Sequence, residues 1–268
     1  VPTMWIAITQ QPGFEKRDLS SLTLTASGGA PMPVEVAKRF RDKTGLELLG
    51  GWGMSETAPA GSNLPKGWPD KAGTIGIPLP GIALRVVSLT DPETELAQGE
   101  TGELAVCGAN VTSGYWNRPE ETAASFADGW FLTGDIGFMD EDGFFTIVDR
   151  KKDMILSGGF NVYPQMIEQA IYTHPDVEEC LVIGVKDAYR GESAKAFVKL
   201  RAGAGLLTLE ALQAYLADRL GKHEMPRALD IRDALPRTPV GKLSKIELKR
   251  EEAERIRDGA AANHEQGD

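Results

Sequence analysis

The chain has 268 residues, 41% of them apolar and 25% charged, which is enough for one large core or two modest ones. Its net charge of −10 excludes a nucleic-acid partner, because a phosphate backbone demands a basic face. No stretch approaches the ~20 apolar residues of a membrane span and no charged-then-apolar leader opens the chain, so the expectation is a water-soluble, cytoplasmic protein.

Residues 22–26 (LTLTA) read as a short strand running into the loop SGGAP at 27–31. Pro33 then opens a helix through Val36, Ala37 and Phe40 that Gly45 can end. Strand, loop and helix make one unit of an α/β sheet. From Gly73 to Val148 the texture changes to short β runs, IALRVV, GELAVC and GFFTIVD, set between Gly, Pro and Asp-Gly turns, which predicts a small antiparallel β subdomain.

After Asp149 the pattern is mixed. Pro164 starts a helix with Ile167, Ala170 and Ile171 on one face, and the strands CLVIGV (180–185) and AKAFVKL (194–200) follow. A second helix runs from a Thr208 cap with Leu209, Leu212, Leu216 and Leu220 at three- and four-residue steps, and a final one is predicted from Ser244, with Glu247 completing a capping box. Helices and strands alternating over ~100 residues predict a compact α+β domain. The tail AANHEQGD is polar and reads as disordered.

Cys107 and Cys180 sit in apolar strand-like runs and read as buried, reduced thiols rather than a disulfide. His174, His223 and His264 are scattered without ligand spacing, so metal-hydroxide and histidine mechanisms find no support. An anionic ligand would need local positive charge, and Arg150, Lys151, Lys152, Arg237 and Lys242 are the cations in suggestive places.

Four segments carry the chemistry: GWGMSET at 51–57, GWFLTGD at 129–135, DRKKDMILSGGFNVYP at 149–164 and PRTPVGKLSK at 236–245. Gly28, Gly29 and Ala30 at a strand end would let a flat ring approach the backbone, although a simple tight turn needs the same residues. Trp52, held between Gly51 and Gly53 and followed by Met54, is a rigid plate suited to stacking on a purine. Ser55 can bond a phosphate, and Glu56 offers a hard oxygen ligand for a cation such as Mg²⁺. Asp135 follows a glycine at the end of an apolar run, where a turn aspartate is the plain alternative. Gly158 and Gly159 with Phe160 suit either a narrow passage or a hairpin tip. Lys242 sits in a Pro/Gly-rich loop where a flexible stem can carry a charge into a site and out again.

In this order and at these separations the segments resemble the adenylate-forming acyl-CoA synthetases, and among them the fatty-acid CoA ligases, from Val1 to about Arg250. The resemblance implies the end of a large AMP-binding domain over 1–150, with an α/β piece to about 72 and the β subdomain from about 73. A turning C-terminal domain over 151–268 follows. It implies ATP, Mg²⁺ and coenzyme A, with a small carboxylic acid activated to acyl-AMP and then transferred to the thiol. It implies that Asp135 accepts from the ribose hydroxyls, that Arg150 contacts ribose or phosphate, that Gly158 and Gly159 line the pantetheine passage, that Lys152 is the hinge, and that Lys242 is the catalytic lysine of adenylation. The family has Tyr and Thr where this chain has Trp52 and Ser55. Malonate ligases carry an arginine where Gly51 stands, which favours an uncharged acyl group. The family's N-terminal phosphate loop has no match, so the expected partner is a missing N-terminal segment of the same enzyme, and the chain alone is expected to be inactive. Dicarboxylate ligases, acyl-AMP ligases, a luciferase-type oxygenase and a non-catalytic adenylate-binding module stay open as alternatives, as does a homodimer.

Overall fold

The structure is a computed structural model describing residues 1–30, 32–239 and 241–264; Pro31 and Val240, which belong to two of the sequence segments, and residues 265–268 of the tail lie outside the described residues. The chain folds as two compact units, Val1–Lys152 and Asp153–Asp268.

The first unit begins with a helix that the sequence pattern does not announce, α1 (Pro2–Thr9), and continues with β1 (Thr25–Ser27), α2 (Val34–Thr44) and β2 (Leu48–Trp52). The strand expected at 22–26 is therefore shorter and shifted, and Leu22 and Leu24 are exposed. α2 follows the sequence reading: Val36, Ala37 and Phe40 are buried, and Gly45 closes the helix at φ 72°, a conformation in which a side chain is strained. β1 and β2 run parallel, and two short strands, β3 (Ser62–Asn63) and β4 (Ile77–Pro78), extend the sheet antiparallel in the order β1-β2-β3-β4.

The rest of this unit is the β subdomain: β5 (Ile82–Val87), β6 (Gly102–Gly108), β7 (Phe126–Ala127), β8 (Trp130–Met139) and β9 (Phe145–Arg150), broken by one short helix, α3 (Pro119–Ala124). β5, β6, β8 and β7 lie side by side and β9 pairs with the far half of β8. β8 departs from the sequence reading. Asp135 does not end an apolar run at a turn; it lies in the middle of a ten-residue strand, after Gly134 at φ 71°, where the register shifts and the strand re-aims its side chains. Cys107 is also corrected, since near the end of β6 its side chain is exposed.

The second unit is built on the sheet β11-β10-β13-β12, from β10 (Ile155–Ser157), β11 (Phe160–Val162), β12 (Val177–Asp187) and β13 (Gly191–Leu200), with β14 (Ala228–Ile231) parallel to β13. Its helices are α4 (Pro164–Tyr172), α5 (Leu209–Leu216) and α6 (Ile246–His264). The unbroken apolar run of β12 is explained by what covers it. Cys180 and Val182 join the cluster with Ile167, Ile171, Leu212 and Leu216, while Leu181 and Ile183 face a second cluster with Phe197 and Leu248 of α6. Helices thus cover both faces. Truncating Ile167 or Ile171, each fully buried, would cost about 2–5 kcal/mol.

Thr208 caps α5 as expected, its hydroxyl accepting from Ala211 N–H at 3.2 Å, but the helix stops at Leu216 and Leu220 packs from beyond it. The capping box at Ser244 does not form. α6 starts at Ile246, and the Ser244 hydroxyl takes the Ile246 N–H at 3.4 Å. The helix runs through the first half of the polar tail, to His264, because residues 249–263 are mostly Ala, Glu, Arg and Lys, strong helix formers, and hold no proline. Among the described residues no helix is long and apolar enough to cross a membrane.

Candidate functional site

In the first unit the structure gathers residues from three of the sequence segments. Trp52 ends β2, Asp135 lies in β8, and Arg150 ends β9 directly opposite Asp135 in the strand register. Indole Nε1 of Trp52 donates to Oδ2 of Asp135 at 2.7 Å, and the guanidinium of Arg150 donates to Oδ1 at 2.6 Å. Asp135 is 4% exposed. Burial raises its pKa, against the opposing pull of the Arg150 charge and the Trp52 N–H. Its backbone N–H is tied to the Thr133 hydroxyl, which in turn donates to the Leu104 carbonyl. The carboxylate is thus immobile and still keeps lone pairs free on both oxygens.

The indole has a seat that sequence reasoning misses. A Cβ placed on Gly61 would fall 2.3 Å from Cζ3 and 2.5 Å from Cε3 of Trp52, so the ring rests on a bare Cα. Gly53 is bare for a similar reason, since a Cβ there would lie 1.7 Å from the Pro59 carbonyl oxygen. Gly51 is less constrained, with Asn63 Oδ1 at 3.2 Å from an added Cβ. Only the backbone path of 53–61 reveals which glycines are obligatory.

Glu56 lies in the short 3-10 turn Ser55–Thr57, next to the exposed Ser55 and after Met54, whose N–H is held by the Thr57 hydroxyl. Its Oε1 accepts from the Tyr115 hydroxyl at 2.9 Å, and its carbonyl accepts the Thr112 N–H at 2.8 Å. The Asn110 side-chain amide donates to the carbonyls of Thr57 and Ala60. A second loop, 110–115, therefore sets the turn that carries Glu56. Tyr115 and Asn110 lie in no segment singled out from the sequence.

Gly28, Gly29 and Ala30 form the bend after β1, with Gly29 at φ 77°, and a Cβ added to Gly28 would lie 3.7 Å from the Gly51 carbonyl oxygen, an ordinary contact. Ser27, just before them and 7% exposed, has no hydrogen-bond partner for its hydroxyl among the described residues. An unpartnered hydroxyl at a parallel strand end beside two glycines is suited to a polar ligand group.

Two of the expected cations are consumed internally. Lys151 pairs with buried Glu103 at 2.7 Å, and Arg237 pairs with buried Glu179. Lys152 is exposed in the 3-10 turn Lys151–Asp153 and is the last residue of the first unit.

In the second unit Gly158 and Gly159 are the two-residue tip of the β10–β11 hairpin, at φ 58° and 86°, so the turn itself requires them. An added Cβ at either meets nothing within 4 Å, which leaves the space beside the tip open. Phe160 follows, 57% exposed, its ring stacked on His223 at 4.7 Å. The Lys242 loop is tighter than a flexible loop would be: Thr238 N–H donates to the Lys242 carbonyl at 2.7 Å, Lys242 N–H donates to the Thr238 hydroxyl at 3.1 Å, and Arg237 bridges to Leu243. These bonds hold the Lys242 backbone, and among the described residues no ion pair involves its amine.

The model for AMP-binding enzyme matches residues 1–116, and that for the AMP-binding enzyme C-terminal domain matches residues 166–242. The chain is 45% identical over 254 residues to a long-chain-fatty-acid–CoA ligase of Bacillus subtilis (strain 168), covering 94% of this chain and 45% of that protein. It is 43% identical over 252 residues to a feruloyl-CoA synthase of Amycolatopsis sp, covering 93% and 50%. Among solved structures, ATP-bound MatB from Rhodopseudomonas palustris superposes with a TM-score of 0.87 at 36% identity, over 93% of this chain and 49% of that one. The chain spans about half the length of the curated relatives it matches. With both family models matched along it, the chain belongs to the adenylate-forming, AMP-binding enzymes.

Proposed function

We propose that this chain takes part in the ATP-dependent activation of a carboxylic acid to acyl-AMP and its transfer to coenzyme A. The observation that carries the reading is the convergence of Trp52, Asp135 and Arg150 on one point of the first unit. An aromatic plate, a fixed carboxylate with spare lone pairs and a partly exposed guanidinium match the base, the ribose diol and the phosphate of a nucleotide.

In this reading Ser55 and Glu56 face the phosphates. Among the described residues no group of three or more His, Cys, Asp or Glu side chains forms a metal cage. A hard cation at Glu56 would therefore be completed by phosphate oxygens and water, as Mg²⁺ prefers, and would neutralise charge on the phosphates. Glu56 holds its carboxylate in place through Tyr115. Lys242 brings a positive charge to the oxygens of the α-phosphate as the carboxylate attacks and pyrophosphate leaves, an effect for which one placed donor is worth about 3–4 kcal/mol. Lys152 is the hinge residue that lets the second unit serve both half-reactions, and Gly158 and Gly159 leave room for the pantetheine arm.

The acyl group is a fatty acid in this reading. Two relatives are named for different acids, a long-chain fatty acid and ferulate, at similar identity, so likeness to them does not by itself choose the acid. The test is a chimera in which this chain replaces the matching half of the Bacillus subtilis ligase, assayed with ATP and coenzyme A against fatty acids of increasing length, ferulate and malonate. Acyl-CoA formation that is lost in Lys242→Ala supports the proposal; an active chimera indifferent to Lys242→Ala overturns it. The chain by itself releases no pyrophosphate from ATP with a fatty acid, and detecting that release would overturn this part.

A further inference from the structure

Trp52 is held at two places. Its six-membered ring sits on the bare Cα of Gly61, and its Nε1 donates to Asp135 Oδ2 at 2.7 Å. Fixed at both edges, the indole has no alternative rotamer that keeps its contacts. Asp135 is equally constrained, with Arg150 on its other oxygen at 2.6 Å and 4% of its surface exposed. A buried carboxylate has about four lone-pair sites. Trp52 and Arg150 occupy one on each oxygen, which leaves one on each oxygen and fixes the plane in which they lie. Two acceptors held in one plane match the two hydroxyls of a vicinal diol. A phenylalanine would keep an apolar plate and leave Oδ2 buried with no protein donor, free to turn about its Cβ–Cγ bond.

We propose that Trp52 is a positioning residue for Asp135: its indole N–H, and not only its ring face, sets the carboxylate that receives the ribose diol. This rests on the adenylate reading above. It predicts that the N–H contributes to the distinction between ribose and 2′-deoxyribose nucleotides, a distinction that a stacking role alone would not affect.

The experiment is calorimetric binding of AMP, 2′-deoxy-AMP and adenine to the 268-residue chain and to Trp52→Phe, Asp135→Asn and the double variant. Trp52→Phe weakens AMP about tenfold, the worth of one hydrogen bond to a charged group. It narrows the AMP to 2′-deoxy-AMP ratio by a similar factor, weakens adenine only by the stacking area lost, and leaves the ratio unchanged once Asp135 is Asn. If Asp135→Asn loses the ratio while Trp52→Phe keeps it, the role of Trp52 is overturned and the adenylate reading stands. If the wild-type chain binds no AMP, or Asp135→Asn binds as the wild type does, both are overturned. Should Trp52→Phe fail to fold, the indole N–H resonance of Trp52 in the wild-type chain decides: it shifts with AMP and much less with 2′-deoxy-AMP, and equal shifts overturn the proposal.

Discussion

The hydroxyl of Tyr115 donates to Oε1 of Glu56 at 2.9 Å across 59 residues of sequence. The carboxylate proposed above to face a cation is thereby oriented by a loop outside its own segment. Tyr115→Phe removes about 1 kcal/mol of orientation, roughly fivefold in affinity. The expected outcome is a higher Mg²⁺ requirement for ATP binding with AMP binding unchanged, measured by titrating Mg²⁺ in a calorimeter. An unchanged Mg²⁺ midpoint would refute it.

Gly61 supports the Trp52 ring, and the added methyl of Gly61→Ala would overlap aromatic carbons at 2.3 Å. The ring must move or the 53–61 loop must shift, at about 1–3 kcal/mol. A lower urea midpoint and a changed tryptophan emission spectrum are expected together. A variant with wild-type midpoint and spectrum would show that the ring is not pinned there.

Burial raises the Asp135 carboxyl above its ordinary 3.8, with Arg150 and Trp52 opposing the shift. The folded chain therefore holds this proton more tightly than the unfolded chain. Between 3.8 and the higher folded value the native state binds more protons, so this group's contribution to stability falls as pH rises through that window. Asp135→Asn removes that titration. The wild type's melting temperature should therefore gain on the variant's as the pH falls through that window, while nucleotide binding is weakened. A wild type that loses ground to the variant in acid would contradict the assigned sign.

The two cysteines should separate cleanly. Cys107 is exposed, whereas Cys180 is 1% exposed, its thiol donating to the Glu168 carbonyl at 3.5 Å and pushed well above its usual pKa by burial. A thiol reagent should label one cysteine in the native chain and the second only on unfolding. Two native labels would place Cys180 nearer the surface than described.

The sequence alone was enough for what depends on local pattern. Gly45 marked the end of α2, Pro164 the start of α4 and Thr208 the cap of α5, because each acts through its own backbone or the next turn. The paired glycines 158–159 left a narrow passage and a hairpin tip both open, and the structure shows the tip. The order of four motifs was enough to suggest the family, since spacing along the chain survives without coordinates. What pattern could not supply was any relationship across strands. For Asp135 the sequence left a ligand-binding carboxylate and a turn aspartate both open, because a glycine precedes it, and only the register of β8 against β6 and β9 shows that a bulge keeps it in the strand and turns it toward Trp52 and Arg150. Cys107 looked buried because its strand is apolar, yet which face of a strand meets water is decided by what packs on it. Lys151 and Arg237 looked available because a sequence cannot show that Glu103 and Glu179 neutralise them. Tertiary structure alone places Tyr115 on Glu56 and Gly61 under Trp52, because such contacts join residues whose separation along the chain carries no periodicity to read.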